Sequence, residues 1–263
     1  MQRLHTTKSG SGEPLVLIHG MGSSSTAFKP IRPLLEEKFT VVAIDLPGHG
    51  ETPMITGRPM DPNSLAINVF DELSEQGFES FHLAGNSLGG WVALEMASTK
   101  PERIRSLTGL APAGLWLNPY NARYPGTALA RFLARYTHKF APTALHFEAA
   151  RKLGFWDVSP RWQELSYEIC LDATRAMAKA DGYYPAWDGM LMKRFDGKIP
   201  EQVPVTIIFG DTDRTLPATT CQERSVAPQH SRWIIFPETG HAPMWDSPRE
   251  VVNAIIETAA QAR

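Results

Sequence analysis

Cysteine and long apolar runs are both scarce in this chain of 263 residues. The two cysteines, Cys170 and Cys221, lie far apart and lack metal-ligand spacing, so the sequence indicates neither a disulfide framework nor a zinc site. No segment reaches the roughly 18 apolar residues of a membrane helix. Residues 1–12 also lack the apolar stretch of a signal peptide. We therefore expect two buried thiols and a cytoplasmic location.

An excess of charge of either sign is absent as well. The formal net charge is −2 and the isoelectric point is about 6.5. A broad basic surface of the kind that binds nucleic acid or an anionic membrane would require more positive charge. We therefore expect a small-molecule partner, with no nucleic acid and no membrane.

The apolar residues that are present form short runs that alternate with helical patterns. Runs rich in β-branched residues occur at 15–18, 40–44, 81–84, 106–110, 205–209 and 232–236. Because they are apolar throughout, they are typical of strands that are buried on both faces. Helical spacing of apolar residues occurs at 64–77, 88–99 and 248–261. Alternating strands and helices predict an α/β protein with a parallel sheet.

The alternation stops between residues 114 and 198, where helical patterns at 127–140 and 162–180 replace strands. Of the 25 Phe, Trp and Tyr residues in the chain, 15 lie in this segment. Small helices need large side chains for a core of their own, and we expect the remaining aromatics to line an apolar pocket. The sequence predicts a core domain of residues 1–113 and 199–263, with a helical cap of residues 114–198.

A glycine-rich turn around Ser87 is the first of the motifs that indicate chemistry. The sequence Gly-Asn-Ser-Leu-Gly-Gly at 85–90 follows a predicted strand and precedes a predicted helix. This is the context of a nucleophile elbow, in which a sharp turn lifts the serine hydroxyl clear of the sheet. Small residues on either side allow the strand and the helix to approach closely. We therefore predict that Ser87 is a catalytic nucleophile.

A second glycine-rich turn, His-Gly-Met-Gly at 19–22, follows the first predicted buried strand. Acyl transfer places negative charge on a carbonyl oxygen, which two preorganised N–H donors can stabilise. We predict that the backbone N–H groups of Met21 and Leu88 form this oxyanion hole. For the His19 side chain we expect a structural role, in which it holds the loop by a hydrogen bond.

An acidic turn and a histidine turn follow the last two predicted strands. Asp211 and Asp213 come directly after the strand at 205–209, and His241 comes after the strand at 232–236. In parallel α/β sheets the carboxyl ends of the strands share one edge, so residues far apart in sequence meet there. The chain order Ser, Asp, His is the order of catalytic residues in this architecture. His241 is the predicted general base, and either aspartate can orient it.

In these motifs and their order, the sequence resembles the capped α/β-hydrolase superfamily over nearly its whole length. The resemblance implies an eight-stranded, mostly parallel sheet flanked by helices, with a helical cap inserted after the sixth strand. It also implies that the acid lies three residues after Gly210, which is Asp213, with Asp211 as the alternative. The turn at 45–50, Asp-Leu-Pro-Gly-His-Gly, matches a family turn and is interpreted as structural.

The resemblance implies a two-step acyl transfer through a Ser87-His241-Asp213 triad, which requires no cofactor and no metal. The residues Ala242-Pro243 after the histidine are more similar to those of carboxylesterases, which favours cleavage of an ester of a small, largely apolar substrate. The elbow is also similar to that of hydrolases that cleave carbon–carbon bonds in ring-fission products. A third hypothesis is a hydrolase-like small-molecule receptor. For the substrate pocket we predict Trp116, Tyr120 and Met244.

Overall fold

The computed structural model describes residues 3–124 and 127–262, and its centre is a β-sheet. The described residues contain seven strands: Thr6–Gly10 (β1), Glu13–Ile18 (β2), Phe39–Ile44 (β3), Phe81–Asn86 (β4), Ile104–Leu110 (β5), Val205–Gly210 (β6) and Arg232–Phe236 (β7). Their order across the sheet is β1-β3-β2-β4-β5-β6-β7. β1 pairs with β3 in the antiparallel direction, and every other neighbouring pair is parallel.

Helices pack on both faces of the sheet and also fill the long connection between β5 and β6. The helices are Arg32–Glu36 (α1), Pro62–Glu75 (α2), Leu88–Thr99 (α3), Thr127–Thr137 (α4), Ala141–Ala144 (α5), Glu148–Phe155 (α6), Tyr167–Lys179 (α7), Tyr183–Met190 (α8), Ala218–Cys221 (α9), Pro243–Asp246 (α10) and Pro248–Ala259 (α11). Sequence sets their starts in some cases: Asp61 accepts the N–H of Ser64 and precedes a proline at the first position of α2.

The α/β-hydrolase fold predicted from the sequence is confirmed, but the strand count was wrong by one. All six apolar runs form strands, β2 to β7. β1 was not predicted because its sequence, Thr-Thr-Lys-Ser-Gly, is polar and the strand is half-exposed at the sheet edge. One strand fewer than expected precedes the helical insertion, which therefore follows β5 and not a sixth strand.

Each face of the sheet is buried, which explains the uninterrupted apolar runs of its strands. Along β2, Val16 and Ile18 belong to one apolar cluster, whereas Leu15 and Leu17 belong to another. A third and smaller cluster lies within the insertion and consists of six buried residues: Ala141, Leu145, Phe155, Trp162, Leu165 and Cys170. The insertion therefore has a core of its own, and Cys170 and Cys221 are buried free thiols as expected.

The sheet brings the predicted motifs to one edge. β2, β4, β6 and β7 run parallel, and they end directly before His19, Ser87, the acidic turn and the histidine turn. Carboxyl ends of parallel strands form the crevice where active sites of α/β proteins assemble. Within residues 3–124 and 127–262, no helix combines the length and apolar composition needed to cross a membrane.

Candidate active site

Ser87 lies in a strained turn between β4 and α3. Its φ of 54° and ψ of −117° are unusual for a residue with a side chain, and the surrounding backbone holds it there. The Ser87 N–H donates to the Leu110 carbonyl over 3.0 Å, and the Ser87 carbonyl accepts the Ala113 N–H at 2.9 Å. This geometry is that of the expected elbow, because β5 fixes the turn on which the hydroxyl is carried.

Close backbone approach around the elbow requires glycine at position 89. A Cβ atom there would lie 2.1 Å from the Ile18 carbonyl oxygen, so a larger residue would push α3 away from β2. The N–H of Leu88, the first helical residue, has no acceptor within the helix and is available to another group.

His241 and Asp213 form a buried pair on neighbouring loops. The His241 Nδ1–H donates to Asp213 Oδ2 over 2.9 Å, and both residues are less than a tenth exposed. The second carboxylate oxygen of Asp213 accepts the N–H groups of Thr215 and Leu216 at 2.9 and 2.8 Å. A carboxylate is only an acceptor, so the proton of a neutral His241 is on Nδ1 and its Nε2 is the basic nitrogen.

Asp211, the alternative acid, has a different partner. Its carboxylate accepts the Thr239 N–H at 3.3 Å, two residues before His241. The two loops meet because Gly210 has no side chain: a Cβ atom there would lie 1.9 Å from the Thr239 carbonyl oxygen. The geometry therefore brings Asp213 to the histidine and uses Asp211 to fix the histidine loop.

Two further residues hold the histidine loop and were missed by the sequence reasoning. Asn86 Nδ2 donates to the carbonyl groups of Leu110 and His241, each over 3.0 Å. The Asp246 carboxylate accepts the Gly240 N–H at 2.8 Å and the hydroxyl of Ser159 in the insertion. Burial raises the pKa of Asp246. The only sequence signal for Asn86 was its position next to Ser87, and no sequence signal indicated the role of Asp246.

The insertion also contacts the histidine directly. The His241 backbone N–H donates to the carbonyl of Val158 over 2.8 Å, and Val158 lies in the connection between α6 and α7. The insertion is therefore bonded to the backbone of the residue whose side chain meets Asp213. A displacement of this connection would move the imidazole.

His19 has the structural role expected from the sequence. Its Nδ1–H donates to the Gly20 carbonyl over 2.7 Å, and its Nε2 accepts the Leu46 N–H at 3.0 Å. Burial lowers the pKa of His19, which keeps the ring neutral. The turn containing Met21 is thereby fixed at the sheet edge beside the elbow.

A cavity of about 380 Å³ opens beside Ser87 and His241. Met21 and Met244 line it from the sheet side. The insertion supplies mostly small or aliphatic side chains from α4 to α7, among them Leu133, Ala141, Ala144, Leu145, Ala150, Leu153, Ala173 and Met177. The cavity thus suits an apolar group. Met244 lies where the sequence predicted a pocket residue.

Trp116 and Tyr120, the other two predicted pocket residues, do not line this cavity, so their role in the substrate pocket stays a prediction. Both lie in a chain of edge-to-face rings that runs from Trp91 through Trp116 and Tyr120 to Trp187. The indole N–H of Trp116 donates to the Lys193 carbonyl over 2.9 Å. Aromatic partners on α3 and α8 contact these side chains; Trp116 is buried, whereas Tyr120 is half-buried.

Residues 3–124 and 127–262 contain no group of three His, Cys, Asp or Glu side chains placed to hold a metal ion.

Curated relatives of the chain include the pimeloyl-[acyl-carrier protein] methyl ester esterase of Legionella pneumophila strain Lens. It is 27% identical over 244 residues, which cover 91% of this chain and 92% of that protein. The protein of the same name from Pseudoalteromonas atlantica is 28% identical over 257 residues, with 97% of each chain covered.

Solved structures share the fold at lower identity. An esterase from Thermogutta terrifontis superposes with a TM-score of 0.66 at 21% identity, covering 97% of this chain and 92% of the other. A meta-cleavage product hydrolase superposes with a TM-score of 0.73 at 17% identity, covering 98% and 95%. The family model described as the alpha/beta hydrolase family matches residues 15–254. The chain therefore belongs to the alpha/beta hydrolase family.

Proposed function

We propose that this chain is a serine hydrolase that cleaves a carboxylic ester of a small, largely apolar substrate. The observation that carries the proposal is that the Ser87 elbow and the His241–Asp213 pair meet at a single apolar cavity. The esterases among the curated relatives support the same reaction. The proposal includes a core domain of residues 1–113 and 199–263 and a helical cap of residues 114–198. A cytoplasmic location remains a prediction.

The proposed reaction proceeds in two steps. His241 Nε2 removes the Ser87 proton while the Ser87 oxygen attacks the ester carbonyl, and collapse of the tetrahedral intermediate expels the alcohol, which takes that proton. Water, deprotonated by the same nitrogen, then attacks the acyl carbon; the bond to the Ser87 oxygen breaks, the acid leaves, and His241 returns the proton to Ser87. Asp213 holds the reactive tautomer and stabilises the imidazolium. This sequence of steps needs neither a metal nor a cofactor.

The oxyanion hole is proposed from the N–H groups of Met21 and Leu88. Met21 lines the cavity, and Leu88 directly follows the serine at the start of α3. Each such donor contributes about 3 kcal/mol to the stabilisation of a tetrahedral intermediate. Preorganised backbone donors add this stabilisation without moving, since the elbow and the His19 turn are both fixed by hydrogen bonds.

Covalent labelling tests the nucleophile. A fluorophosphonate probe should label the wild type at Ser87, and Ser87→Ala should abolish labelling and lower kcat by about six orders of magnitude if the triad acts as a unit. Ser98→Ala, which removes a hydroxyl near the C-terminal end of α3, is the matched control. It should keep both the labelling and the kcat of the wild type. Labelling of another serine in the wild type would disprove the assignment.

The reaction class is tested by a substrate panel. p-Nitrophenyl esters of increasing acyl length should turn over hundreds of times, whereas a dienone-type ring-fission product should not. Preferred cleavage of the dienone would instead indicate the carbon–carbon hydrolase that the elbow also resembles. A few turnovers per protein on every substrate would indicate a receptor.

A further inference from the structure

Large apolar side chains are exposed in one part of the insertion. Eight of the fourteen exposed large apolar side chains in the described residues lie between 129 and 156: Leu129, Phe132, Leu133, Tyr136, Phe140, Phe147, Leu153 and Trp156. The first five are separated by three, one, three and four residues, so they lie on one face of α4 and the turn that follows it. We call these five residues the insertion stripe. Monomeric proteins in water seldom expose apolar side chains so densely.

The orientation of α4 is the reverse of that expected for a helix in water. Arg131 is buried on its inner side, where it donates to the Ala178 carbonyl over 2.7 Å and pairs with Asp181 at 3.5 Å. Phe132 and Tyr136, on the outer side, are 58% and 63% exposed and contact each other, with their ring centres 4.7 Å apart. The helix thus buries a cation and presents its apolar face outward, which suits contact with an apolar phase.

The insertion stripe is continuous with the cavity beside Ser87. Leu133 and Phe140 belong to the stripe, are exposed, and line the cavity; Leu153 of α6 is 80% exposed and also lines it. Whatever lies against the stripe is therefore at the entrance to the proposed active site. An apolar chain could pass from such a surface to Ser87 without crossing water.

Positive charge accompanies this apolar surface. Residues 127–156 contain five Lys or Arg and one acidic residue, Glu148, although the whole chain has a net charge of −2. Three of the five cations, Arg135, Lys139 and Lys152, are exposed, and Arg135 pairs with Asp181 at 3.0 Å. Helices that lie in a lipid interface combine Leu and Phe with Lys and Arg in this way. The prediction of no membrane partner relied on net charge, which conceals this local excess.

We propose that the insertion stripe binds an anionic lipid surface, from which an ester with an apolar chain enters the cavity. A second copy of the chain would also cover the stripe, but it would close the cavity entrance, whereas a lipid layer can supply substrate through it. The substrate part of this inference rests on the proposed esterase function. The binding part does not, since it depends only on the surface.

Vesicle flotation tests the surface directly. The wild type should bind vesicles of phosphatidylcholine mixed with phosphatidylglycerol on the order of tenfold more than phosphatidylcholine alone, because Lys and Arg are attracted to anionic lipid. The variant Leu129→Gln with Phe132→Gln should lose this binding while keeping a helix-forming sequence. Neither residue lines the cavity, so hydrolysis of a soluble p-nitrophenyl ester should be unchanged and hydrolysis of a vesicle-embedded ester should fall at least as much as binding.

Ile67→Gln is the matched control, since Ile67 is 50% exposed on α2, outside the insertion. It should bind vesicles as the wild type does, and circular dichroism should show all variants folded. Absence of wild-type binding, or equal binding by the double variant, would overturn the proposal. So would a wild-type dimer that the double variant converts to a monomer without any vesicle binding. Ser87→Ala should still bind vesicles, so loss of esterase function and loss of the surface are distinguishable.

Discussion

At the scale of single residues, the two aspartates after β6 differ in what they contact. Asp213 accepts the imidazole Nδ1–H, and Asp211 accepts a backbone N–H. Asp213→Asn places an amide beside His241 that favours the wrong tautomer, so kcat/KM should fall by about four orders of magnitude. Asp211→Asn keeps an oxygen for Thr239 and should cost far less. Hydrolysis of a p-nitrophenyl ester by both variants provides the comparison, and the reverse ranking would move the acid to Asp211.

Residues defined by local backbone constraints could be predicted from the sequence, and residues defined by distant partners could not. The elbow needs only six consecutive residues, so Ser87 could be predicted as the nucleophile. The residues after the strand left Asp211 and Asp213 as alternatives, and the family resemblance implied Asp213. Asn86 bonds to a carbonyl 155 residues away, and no local pattern announces that contact. The ring contacts of Trp116 with Trp91 of α3 and with Tyr120 were likewise not predicted from the sequence.

A buried histidine outside the proposed triad makes stability depend on pH. His49 Nδ1–H donates to the Pro47 carbonyl, whereas its buried Nε2 has no hydrogen-bond partner among residues 3–124 and 127–262. Burial, followed by the neighbouring His19, lowers the pKa of His49 from 6.5 to about 3. Between those values the unfolded chain binds the extra proton and the folded chain does not. Stability is therefore fully present above pH 6.5 and falls as the pH drops towards 3.

This linkage predicts a measurable difference at mild acidity. Each pH unit below 6.5 lowers the free energy of unfolding by about 1.4 kcal/mol, so His49 accounts for about 2 kcal/mol at pH 5. His49→Asn keeps a donor for Pro47 and removes the titration. Urea unfolding at pH 7 and pH 5 should show a smaller decrease in the free energy of unfolding for the variant than for the wild type. Some decrease should remain, because burial also lowers the pKa of His19. Equal losses in both proteins would contradict the assignment.

At the scale of elements, burial determines which strands and helices were predictable. Strands covered on both faces appear as apolar runs, and the helix predicted at 88–99 has those bounds in the structure. β1 lies at the sheet edge with polar residues, so its sequence resembles a loop. The helix predicted at 127–140 ends at Thr137 in the structure. The prediction extended too far because the apolar periodicity of the sequence continues through the following turn to Phe140.

The contact between the histidine loop and the insertion predicts a positioning role for Asp246. Asp246→Ala leaves the buried Gly240 N–H without its acceptor, which costs about 1–3 kcal/mol, and removes the bond to Ser159. We expect the melting temperature and kcat to fall, while Asp246→Asn restores part of both. Asp196→Ala, at an exposed site in the insertion, is the control.

A purely structural Asp246 would predict a different result. In that case kcat per folded molecule would equal the wild-type value at temperatures well below the melting transition. A positioning role predicts a lower kcat there, with little change in KM, since the imidazole is displaced and the cavity is not. Dividing kcat by the folded fraction, which circular dichroism measures on the same samples, distinguishes a purely structural role of Asp246 from a positioning role.

At the scale of the whole molecule, the long connection between β5 and β6 forms an insertion that the sheet does not need. The insertion has its own apolar cluster, bonds to the histidine loop and lines most of the cavity. Its existence was predictable because strand patterns stop there. Its inner surface was predictable only in part: Phe140 and Phe155 line the cavity, as expected of some aromatic side chains, but most of the lining residues of the insertion are alanine, leucine and methionine.

If the insertion sets substrate preference, substitutions inside the cavity should change relative activity among esters. Ala173→Leu fills part of the cavity and should favour short acyl chains, whereas Met177→Ala enlarges it and should favour longer ones. Each methylene in such a pocket changes discrimination by about 1–3 kcal/mol. Trp116→Ala is the control: it should lower stability by about 3–5 kcal/mol and leave the ranking of esters unchanged, because its ring is buried and does not line this cavity. If kcat/KM ratios across a p-nitrophenyl ester series are the same in all three variants, specificity comes instead from the sheet loops around Met21 and Met244.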